Sequence, residues 1–539
     1  MAGLARAFGS GAMTNSIPDI EESDCILITG SNTTEAHPLV ASRVFTAKER
    51  GAKIIVIEPR QIQLAFHADL YLRQRPGTDV AWINGMMNII LANGWENKDF
   101  IASRTEGFDA LKEKVKEYPP QKVEQITGIR KEDLAKAAEM YAKSGKSAIL
   151  YCMGITQHIS GVDNVLSLAN LSMLTGNIGR RGTGVNPLRG QNNVQGACDM
   201  GGLPNVLTGY QNVTDEAARK KFEDAWGYKI QPQNGLTLME MMHGAAEGKI
   251  KAMFILGENP MRSDPDIKHV QEALEKLEFL AVQEIFPSHT TELASVVLPG
   301  ASWAEKEGTF SNTDRRVQLI RKAVEPPGEA RPDWEIICDI AKKMGGKGFD
   351  FSSPAAIFDE ITKLTPIMAG MSYARLNKNG GLQWPCRTPE DPGTEILHTQ
   401  SFSRGKGLFV AIDFREPAEL PDDLYPLTLT TGRSIFHYHT GTVTRNSPTL
   451  ESELHEAYIE VNPEDAGLLG VADDDMVKVA SRRGEITVKV RATDCVGKGV
   501  VFIPFHFAES AANALTNTAL DPVAKIPELK VCAVRVEKV

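Results

Sequence analysis

A strand–helix–strand pattern near the start of the chain restricts its fold more than any other feature. The apolar run CILIT (25–29) ends at a glycine, and a second apolar run follows in KIIVIEPR. Between them, HPLVASRVFTAKERG places Val40, Val44 and Ala47 on one helix face. This arrangement predicts two parallel strands joined by a right-handed crossover.

The same pattern returns after residue 202 and predicts a second α/β region. Its strand candidates are IKAMFILGENP, LEFLAVQEIF and LASVVLPG. The segments ITGSN (28–32) and ILGEN (255–259) each place a glycine, a polar residue and an asparagine after a strand, which is a weak internal similarity. In the first region, SAILYCMG is a further strand candidate, VDNVLSLANLSMLTG is a helix, and another helix begins at Thr78 or Asp79.

The last part of the chain has a different composition. Residues 385–426 contain six prolines and few periodic segments, which predicts a long, irregular connection. Strand candidates follow in LTLTTGR, AYIEV, MVKVASRRGEITVKVRA and GVVFIPF, with SRRGE as a hairpin turn and PEDAGLLG as a short helix. A small β-barrel of mixed connectivity is expected. The predicted fold class is therefore α/β, with two Rossmann-like α/β regions and a C-terminal β-barrel.

The expected domains follow from these composition changes. They are an α/β cofactor-binding domain (1–191), a second α/β cofactor-binding domain (192–390), a linker (391–424) and a C-terminal barrel that binds a dinucleotide cofactor (425–539).

Charge and cysteine content narrow the function classes. The formal net charge of −10 gives no support to a nucleic-acid or anionic-membrane partner. The longest apolar stretch, VAWINGMMNIILANGW, is too short and too interrupted to span a bilayer. The seven cysteines are scattered without a C-x-x-C pair, which argues against a zinc or iron–sulfur site made by this chain alone. The same scatter indicates a reducing compartment, and a cytoplasmic location is expected.

The strand ends are the first candidate sites, because ligands of open α/β sheets bind at the carboxyl ends of strands. Glu58 stands where dinucleotide folds bind a ribose hydroxyl, but GSNTTE has one glycine and lacks the G-x-G-x-x-G motif. A nicotinamide dehydrogenase is therefore disfavoured, and a nucleotide bound in another way or a plain tight turn remain open. PGTD (76–79) can hold a phosphate or be an ordinary N-cap. Glu258 repeats the strand-end arrangement in the second region, or it is a solvated loop acid.

Two polar stretches add further candidates. In NPLRGQNNVQGACDMGGLPN (186–205), amides and glycines suit a polar planar ligand, and Arg189 can clamp a carboxylate. The alternative is that the stretch is a polar inter-domain loop. Cys198 is interpreted as a buried small residue. In TTGRSIFHYHTGTVTRNS, phosphate binding by Arg433 is the favoured interpretation. The alternatives are a metal bound by the H-x-H pair, which lacks a third ligand, and a solvated loop. Near the C-terminus, Lys525 and Lys530 are surface lysines by default.

Four segments resemble one enzyme family. GLARAFGSGAMTN, MLTGNIGRRGTGVNP, NPLRGQNNVQGACDMG and VCAVRVE resemble the catalytic subunit of molybdenum- or tungsten-dependent formate dehydrogenases, which carry bis-molybdopterin guanine dinucleotide. The resemblance covers essentially the whole chain, and RGQNNVQGACDMG is specific to the formate branch. It implies oxidation of formate to carbon dioxide, a double-psi type of barrel, and partner subunits for electron transfer of the iron–sulfur, NAD-reducing or hydrogenase type. No nucleic acid and no membrane contact are implied.

The resemblance also assigns site residues in this numbering. Arg189 resembles the arginine that positions formate, and it is the catalytic residue implied; no metal ligand is assigned. The residues implied to bind the cofactor are, for one guanine dinucleotide, Asn32, Glu35, Glu58, Pro59, Arg60, Gly77 and Asp79; near the pterin, Met153, Gly154, Gln157 and Gln191; for the second dinucleotide, Gly257, Glu258, Asn259, Ser263 and Gln283; and from the C-terminal domain, Arg433, His437, His439, Asn513 and Lys530.

The sequence departs from the family pattern at its start. The four-cysteine module for a 4Fe–4S cluster is absent, as is the cysteine or selenocysteine that binds the metal, which would fall five positions before Met1. Leu4, Phe8 and Met13 nevertheless have the spacing of a packed helix. The hypothesis is a selenoprotein gene whose UGA codon was read as a stop, so that this fragment alone is inactive. The alternatives are a non-catalytic cofactor-binding or scaffold subunit beside a separate N-terminal chain, or a related molybdopterin oxidoreductase with another substrate.

Overall fold

A computed structural model describes all 539 residues. The chain divides into two compact units, and each is described by itself below. The first consists of residues 1–190, 262–268 and 396–539, and the second of residues 191–261 and 269–395.

The first unit contains a five-stranded parallel sheet. Its strands are, in spatial order, Leu70–Leu72, Lys53–Ile57, Cys25–Thr29, Ser147–Tyr151 and Gly184–Pro187. Cys25 is in register with Lys53 on one side and with Ser147 on the other, so the predicted strand–helix–strand unit is confirmed. Because the strand order reverses at Cys25–Thr29, the right-handed crossovers place helices on both faces of this sheet.

Alternate side chains of these strands pack into two separate cores. Leu27 shares one core with the helices Asp79–Ala92 and Gly161–Leu174. Ile26, on the opposite face, shares a second core with the helix Pro38–Glu49. Both faces are therefore removed from water, which explains why the strands read as continuous apolar runs rather than as alternating ones.

The remaining helices of this region surround those cores. The helix Ala2–Phe8 buries Leu4 and Phe8, as their spacing predicts. The other α-helices are Thr33–Ala36, Lys98–Arg104, Phe108–Val115, Pro120–Thr127, Lys131–Lys143 and Met153–Thr156. The 3-10 helices of the whole chain are Pro18–Glu22, Gln63–His67, Thr208–Tyr210, Trp303–Glu305, Pro366–Met368, Thr444–Asn446 and Ala512–Ala514.

The proline-rich connection is irregular but packed. Its only strand, Gly407–Leu408, pairs with Thr105–Glu106. Phe402, Phe409 and Ile412 are buried in the same core as the first sheet. Residues 396–424 therefore pack as part of the first unit.

The second unit contains a three-stranded parallel sheet. Its strands are, in spatial order, Val296–Pro299, Phe279–Glu284 and Ala252–Leu256. The helices along residues 191–395 are Val194–Asp199, Glu216–Trp226, Leu238–Ala246, Pro260–Ser263, Ile267–Glu275, His289–Glu292, Asp333–Lys343, Pro354–Leu364 and Tyr373–Asn379. Two antiparallel sheets complete the unit, Gly308–Ser311 with Arg316–Ile320 and Leu382–Gln383, and Val206–Leu207 with Gln211–Asn212.

The C-terminal region closes into a six-stranded barrel of parallel and antiparallel pairs, as predicted. Its strands are, around the barrel, Leu427–Gly432, Val500–Pro504, Tyr458–Val461, Glu485–Ala492, Met476–Ala480 and Cys532–Lys538. The helices are Pro448–Glu453 and Pro463–Leu469. The last strand is not among the sequence candidates, although it pairs with both the first and the fifth of these strands.

None of the helices combines the length and the apolar character that crossing a membrane requires.

Candidate functional site

The end of the first strand is a tight turn with an unused donor. Gly30 has a φ of 59°, and its carbonyl accepts a hydrogen bond from the backbone N–H of Gly154 at 3.0 Å. A Cβ added at Gly30 would lie 2.4 Å from the backbone nitrogen of Ile155, so only glycine fits there. Beyond the turn, the buried Nδ2 of Asn32 has no hydrogen-bond partner. Such a donor needs an acceptor from a ligand or from water.

Glu58, beside this turn, and Lys530 are two buried titratable side chains. Glu58 accepts a hydrogen bond from the Ser31 backbone N–H, and burial raises the pKa of its carboxyl to about 8. Lys530 donates to the Thr431 carbonyl at 2.7 Å, and burial lowers the pKa of its ammonium to about 8. The default expectation of a surface Lys530 is wrong, because the strand that follows it places the side chain inside the first unit.

Three cations lie within electrostatic range of Cys152 at the carboxyl edge of the first sheet. Burial raises the pKa of the Cys152 thiol, while the charges of Arg433, Lys530 and Arg189 act in the opposite direction. Arg433 donates to the Gly190 carbonyl at 3.2 Å. Such a concentration of positive charge in a partly desolvated place favours phosphate or carboxylate groups.

Two hydrogen bonds hold Arg189, one at its backbone carbonyl and one at its guanidinium. His37 Nε2 donates to the Arg189 carbonyl at 2.6 Å, and Arg189 Nη2 donates to the Gly11 carbonyl at 3.2 Å. A Cβ at the next residue, Gly190, would lie 2.7 Å from Arg433 Nη2. These contacts hold Arg189 in place and bring its neighbour Gly190 against the Arg433 guanidinium.

Arg60 is occupied by an ion pair within the first unit. Its Nε and Nη2 donate to the two carboxylate oxygens of Glu460, each at 2.6 Å, and its guanidinium lies 4.4 Å from the centre of the Phe502 ring. The hydrogen bonds and the charge of Glu460 raise the pKa of Arg60. Glu35 lies within electrostatic range of this guanidinium. Pro59 links Arg60 to the Glu58 strand end.

The start of the helix Asp79–Ala92 is closely packed. Gly77 has a φ of 80°, and an added Cβ would lie 2.5 Å from Cγ of Pro417. Asp79 is buried and accepts a hydrogen bond from Trp82 Nε1 at 3.2 Å, and burial raises the pKa of its carboxyl to about 6.

His158 and Glu528 are buried groups that the sequence did not single out. His158 Nε2 donates to the Gly154 carbonyl at 2.8 Å, whereas its buried Nδ1 has no hydrogen-bond partner and lies 4.0 Å from a carboxylate oxygen of Glu528. Burial lowers the pKa of His158 to about 4, so the imidazole is neutral at pH 7. A lone histidine in a polar loop gives no sequence signal that separates this position from a surface one.

Residues predicted near the pterin lie in the segment that follows the strand Ser147–Tyr151. Met153 is 38% exposed and begins the helix Met153–Thr156, and Gln157 ends it. Gly154 contacts Gly30 so closely that an added Cβ would lie 2.5 Å from the Gly30 Cα. Gln191 is half-buried at the start of the second unit.

Hydrogen bonds within the chain occupy most of the candidate site residues of the C-terminal domain. His437 is buried, with Nε2 donating to the Leu454 carbonyl at 2.5 Å and Nδ1 lying 3.3 Å from Thr444 Oγ1. His439 has a φ of 51°, and its carbonyl accepts a hydrogen bond from His506 Nδ1. The structure brings no group of three or more His, Cys, Asp or Glu side chains together for a metal ion.

Asn513 and Ser263 meet within the first unit. Asn513 Nδ2 donates to the carbonyls of Arg262 and Ser263, at 2.9 and 3.0 Å. The Ser263 hydroxyl donates to Asp264 at 2.9 Å. These bonds tie the segment 262–268 to the barrel region.

The second strand end is more open. Gly257 has a φ of 61°, and no atom lies within 4 Å of an added Cβ. Gln283 donates through Nε2 to Asp333 at 2.6 Å, and its buried Oε1 has no hydrogen-bond partner. Asn259 accepts from the Thr290 hydroxyl at 2.7 Å, and Glu258 is exposed. This edge of the second unit therefore offers an open backbone turn and an unused acceptor.

The polar loop 186–205 is only partly available to a ligand. Asp199 is fully buried and accepts hydrogen bonds from Gln195 Nε2, Tyr210 Oη and Trp384 Nε1, at 2.8, 2.6 and 2.8 Å. Gln195 and Asp199 stabilise the second unit internally on the helix Val194–Asp199. Cys198 is buried, as predicted.

The donor set fits a cofactor with phosphate, ribose and planar base groups. In the first unit, the unused donor of Asn32 lies beside a glycine turn, and three cations lie at the same sheet edge. In the second unit, Gln283 Oε1 can accept from a base or a hydroxyl. The fold and these groups define an α/β protein whose strand ends carry groups suited to a dinucleotide-type ligand.

Comparison with known proteins specifies that class. A family model described as "Molybdopterin oxidoreductase" matches residues 4–343, and one described as "Molydopterin dinucleotide binding domain" matches residues 427–533. The chain belongs to the molybdopterin oxidoreductase family.

Its relatives include alpha subunits of formate dehydrogenases. The F420-dependent formate dehydrogenase subunit alpha of Methanocaldococcus jannaschii is 55% identical over 100% of this chain and 80% of its own length. Formate dehydrogenase H of Escherichia coli is 41% identical over 100% of this chain and 76% of its own length. Acetylene hydratase from Pelobacter acetylenicus has the same fold, with a TM-score of 0.78 at 20% identity, over 100% of this chain and 80% of the hydratase chain.

Proposed function

We propose that the chain is a catalytic subunit of a formate dehydrogenase that oxidises formate to carbon dioxide, or runs the reverse reaction. The cofactor would be bis-molybdopterin guanine dinucleotide with molybdenum or tungsten. The observation that supports this most directly is the positive sheet edge, where Arg433 donates a hydrogen bond to Gly190, the neighbour of Arg189, and where Arg189, Arg433 and Lys530 all lie within electrostatic range of Cys152. The high identity to formate dehydrogenase alpha subunits along the whole chain supports the same substrate.

The cofactor would be held at both strand ends. For one dinucleotide we propose Asn32, Glu35, Glu58, Pro59, Arg60, Gly77 and Asp79; for the pterin region Met153, Gly154, Gln157 and Gln191; for the second dinucleotide Gly257, Glu258, Asn259, Ser263 and Gln283; and from the barrel region Arg433, His437, His439, Asn513 and Lys530. Because Arg60, His437 and Asn513 are engaged by protein groups, their contribution would be to fix the walls of the site.

The chemistry that the bound cofactor supplies is acceptance of the two electrons that leave formate when its C–H bond breaks to give carbon dioxide and a proton. Arg189 would bind the formate carboxylate through parallel N–H···O bonds and so fix the direction of the C–H bond. Arg433 and Lys530 add attraction for the anion. Carbon dioxide carries no charge, so the same groups do not retain the product.

The subunit would work with electron-transfer subunits in the cytoplasm. Three relatives from methanogens carry the name F420-dependent, and the names of others do not specify an acceptor. The immediate acceptor would therefore be a property of the partner subunits, which would be of the iron–sulfur, NAD-reducing or hydrogenase type.

The test is formate-dependent reduction of a viologen dye by protein produced anaerobically in cells that make the cofactor, either as this chain alone or fused to the part of the Methanocaldococcus jannaschii alpha subunit that lies outside its alignment with this chain. The fused protein should turn over formate and this chain alone should not, and Arg189→Lys in the fused protein should raise KM for formate at least tenfold, since an ammonium cannot form the two parallel bonds. Arg404→Lys is the matched control, because Arg404 is an exposed arginine paired with Glu106 on the surface. Turnover of another substrate without formate turnover would contradict the proposal.

A further inference from the structure

His506 is a buried histidine that the proposed chemistry does not use. It follows the barrel strand Val500–Pro504, and its side chain has no exposed surface. The sequence places it between Phe505 and Phe507, whose ring centres lie 5.1 and 6.2 Å from its own. Burial lowers the pKa of its imidazole to about 3, and the charge of Arg433 acts in the same direction. The ring is therefore neutral at pH 7.

Backbone groups of one loop engage both ring nitrogens of His506. The backbone N–H of Ser434 donates to Nε2 at 2.8 Å, and Nδ1 contacts the carbonyl oxygen of His439. A backbone N–H can only donate, and a carbonyl oxygen can only accept. Nε2 is therefore unprotonated, and Nδ1 carries the proton that it donates to His439. The two partners thus hold the ring in one tautomer, the Nδ1–H form.

These two hydrogen bonds close the loop between Ser434 and His439. Within the loop, the side chains of Ile435 and Tyr438 are exposed. His439 has a φ of 51°, a left-handed conformation that residues other than glycine rarely adopt. Such a conformation persists where surrounding contacts hold it. The bond from His506 to the His439 carbonyl is one of these contacts, so we expect the loop to loosen when that bond is lost.

The loop follows Arg433 and places an aromatic ring beside it. Arg433 directly precedes Ser434, and its guanidinium lies 5.9 Å from the centre of the Tyr438 ring. Its Nη1 donates to the Gly190 carbonyl at 3.2 Å. Closing the loop therefore keeps the Tyr438 ring beside the guanidinium, and the guanidinium against Gly190.

We propose that His506 is a positioning residue of the candidate site, which acts on Arg433 by holding together the two ends of the loop 434–439. The inference rests on the proposed function, in which Arg433 attracts the formate anion. A neutral imidazole suits this task because its rigid ring presents one donor and one acceptor. Glutamine offers the same two kinds of group on one side chain, whereas leucine offers neither.

The first measurement uses the 539-residue chain without cofactor. With isotope-labelled histidine, nitrogen NMR should show His506 as the neutral Nδ1–H tautomer at pH 7, and His158, whose Nε2 donates, as the opposite tautomer. Amide hydrogen exchange at Ser434 and modification of Arg433 by phenylglyoxal should each be at least fivefold faster in His506→Leu. His506→Gln should keep both rates within twofold of the wild type.

Circular dichroism checks that each variant folds. His506→Asn is too short to reach both partners, so it should show the same faster rates as His506→Leu, and it decides the matter if the leucine variant does not fold. His455→Leu is the matched control, because it changes an exposed histidine of the barrel region and should leave every rate unchanged.

The second measurement connects the loop to the substrate, in the protein fused to the unaligned part of the Methanocaldococcus jannaschii subunit. His506→Leu should raise KM for formate at least threefold and change kcat less than twofold, because attraction of the anion precedes its oxidation. His506→Gln should restore the wild-type KM. With Arg433→Gln already present, His506→Leu should have no further effect on KM, since the effects of residues that act through one another are not additive.

Three results would overturn the proposal. They are an Nε2–H tautomer or a charged imidazole at His506, fast exchange at Ser434 in a folded His506→Gln variant, and an effect of His506→Leu on KM that persists in full beside Arg433→Gln. The last would show that His506 stabilises the barrel without acting on Arg433. Absence of formate turnover by the fused wild type would contradict the proposed function instead, and the tautomer, the exchange rate and the reactivity of Arg433 would still decide what His506 does.

Discussion

The two parallel sheets have similarly apolar strand sequences, but they differ in the elements that cover them. The first sheet reverses its strand order and has both faces buried, whereas the second grows in one direction and keeps one apolar face exposed. The burial of each sheet therefore depends on the connections between its strands. Right-handed crossovers place their helices on one face when strands are added in one direction, and on the other face when that direction reverses. Apolar strand composition alone does not reveal which sheet is complete.

The strand ends differ in the same way. Gly30 is enclosed by Ile155 and Gly154, while Gly257 has no atom near the place of a Cβ. Both residues have positive φ values, so the turn geometry is shared and the surroundings are not. The first turn is thus part of a packed junction, and the second is open to a ligand.

The largest expected difference comes from the two glycines. Gly30→Ala adds left-handed strain of about 1–2 kcal/mol and an overpacked contact of about 1–3 kcal/mol, so we expect a loss of about 4 kcal/mol. Gly257→Ala adds the strain alone, about 1 kcal/mol. Urea unfolding of both variants measures the difference. Equal losses would show that the enclosure of Gly30 has no energetic effect.

A matched pair of leucines tests the burial of the two sheets. Leu27→Ala removes a fully buried side chain and should cost about 3 kcal/mol, whereas Leu256→Ala, at a position 43% exposed, should cost less than about 1 kcal/mol. The free energies of unfolding come from urea midpoints. A loss at Leu256 as large as that at Leu27 would mean that the Leu256 side chain is buried in the folded chain.

The pH dependence of stability isolates a smaller effect in the first sheet region. Burial lowers the pKa of His158 to about 4 from the ordinary histidine value of 6.5, so below pH 6.5 the unfolded chain binds a proton that the folded chain does not. Stability should therefore fall as the pH drops, by roughly 2–3 kcal/mol at pH 4.5 through this group.

Substitution of His158 tests whether this side chain causes the loss of stability at low pH. His158→Gln should reduce the loss of stability between pH 6.5 and 4.5, measured by urea unfolding at both values. His289→Gln is the matched change at the exposed histidine that follows a strand of the second sheet. An unchanged pH dependence in His158→Gln would show that the buried imidazole is charged in the folded protein.

The sequence predicted the elements and the fold class because periodicity and strand-end glycines are local signals. Strands such as Cys25–Thr29 and helices such as Asp79–Ala92 lie where these signals place them. The last barrel strand was missed because its pairing partners are distant in sequence. The packing of Phe402 and Ile412 in the proline-rich connection is likewise set by tertiary contacts that composition does not encode.

The candidate site was predictable in type but not in detail. The glycine turns and Arg189 follow from strand ends and from a polar loop, but the internal hydrogen bonds of Asp199 depend on Tyr210 and Trp384, the latter nearly two hundred residues away. The burial of Lys530 depends on the barrel strand that follows it. Long-range contacts of this kind decide whether a polar group binds a ligand or stabilises the fold.

The central claim is that the strand ends of the two α/β regions hold two guanine dinucleotides. The most direct measurement is the nucleotide and metal content of protein purified anaerobically from cells that make the cofactor. After acid release, chromatography should show two guanine nucleotides per chain, together with molybdenum or tungsten. Adenine nucleotides, or no bound nucleotide in a folded chain, would contradict the account.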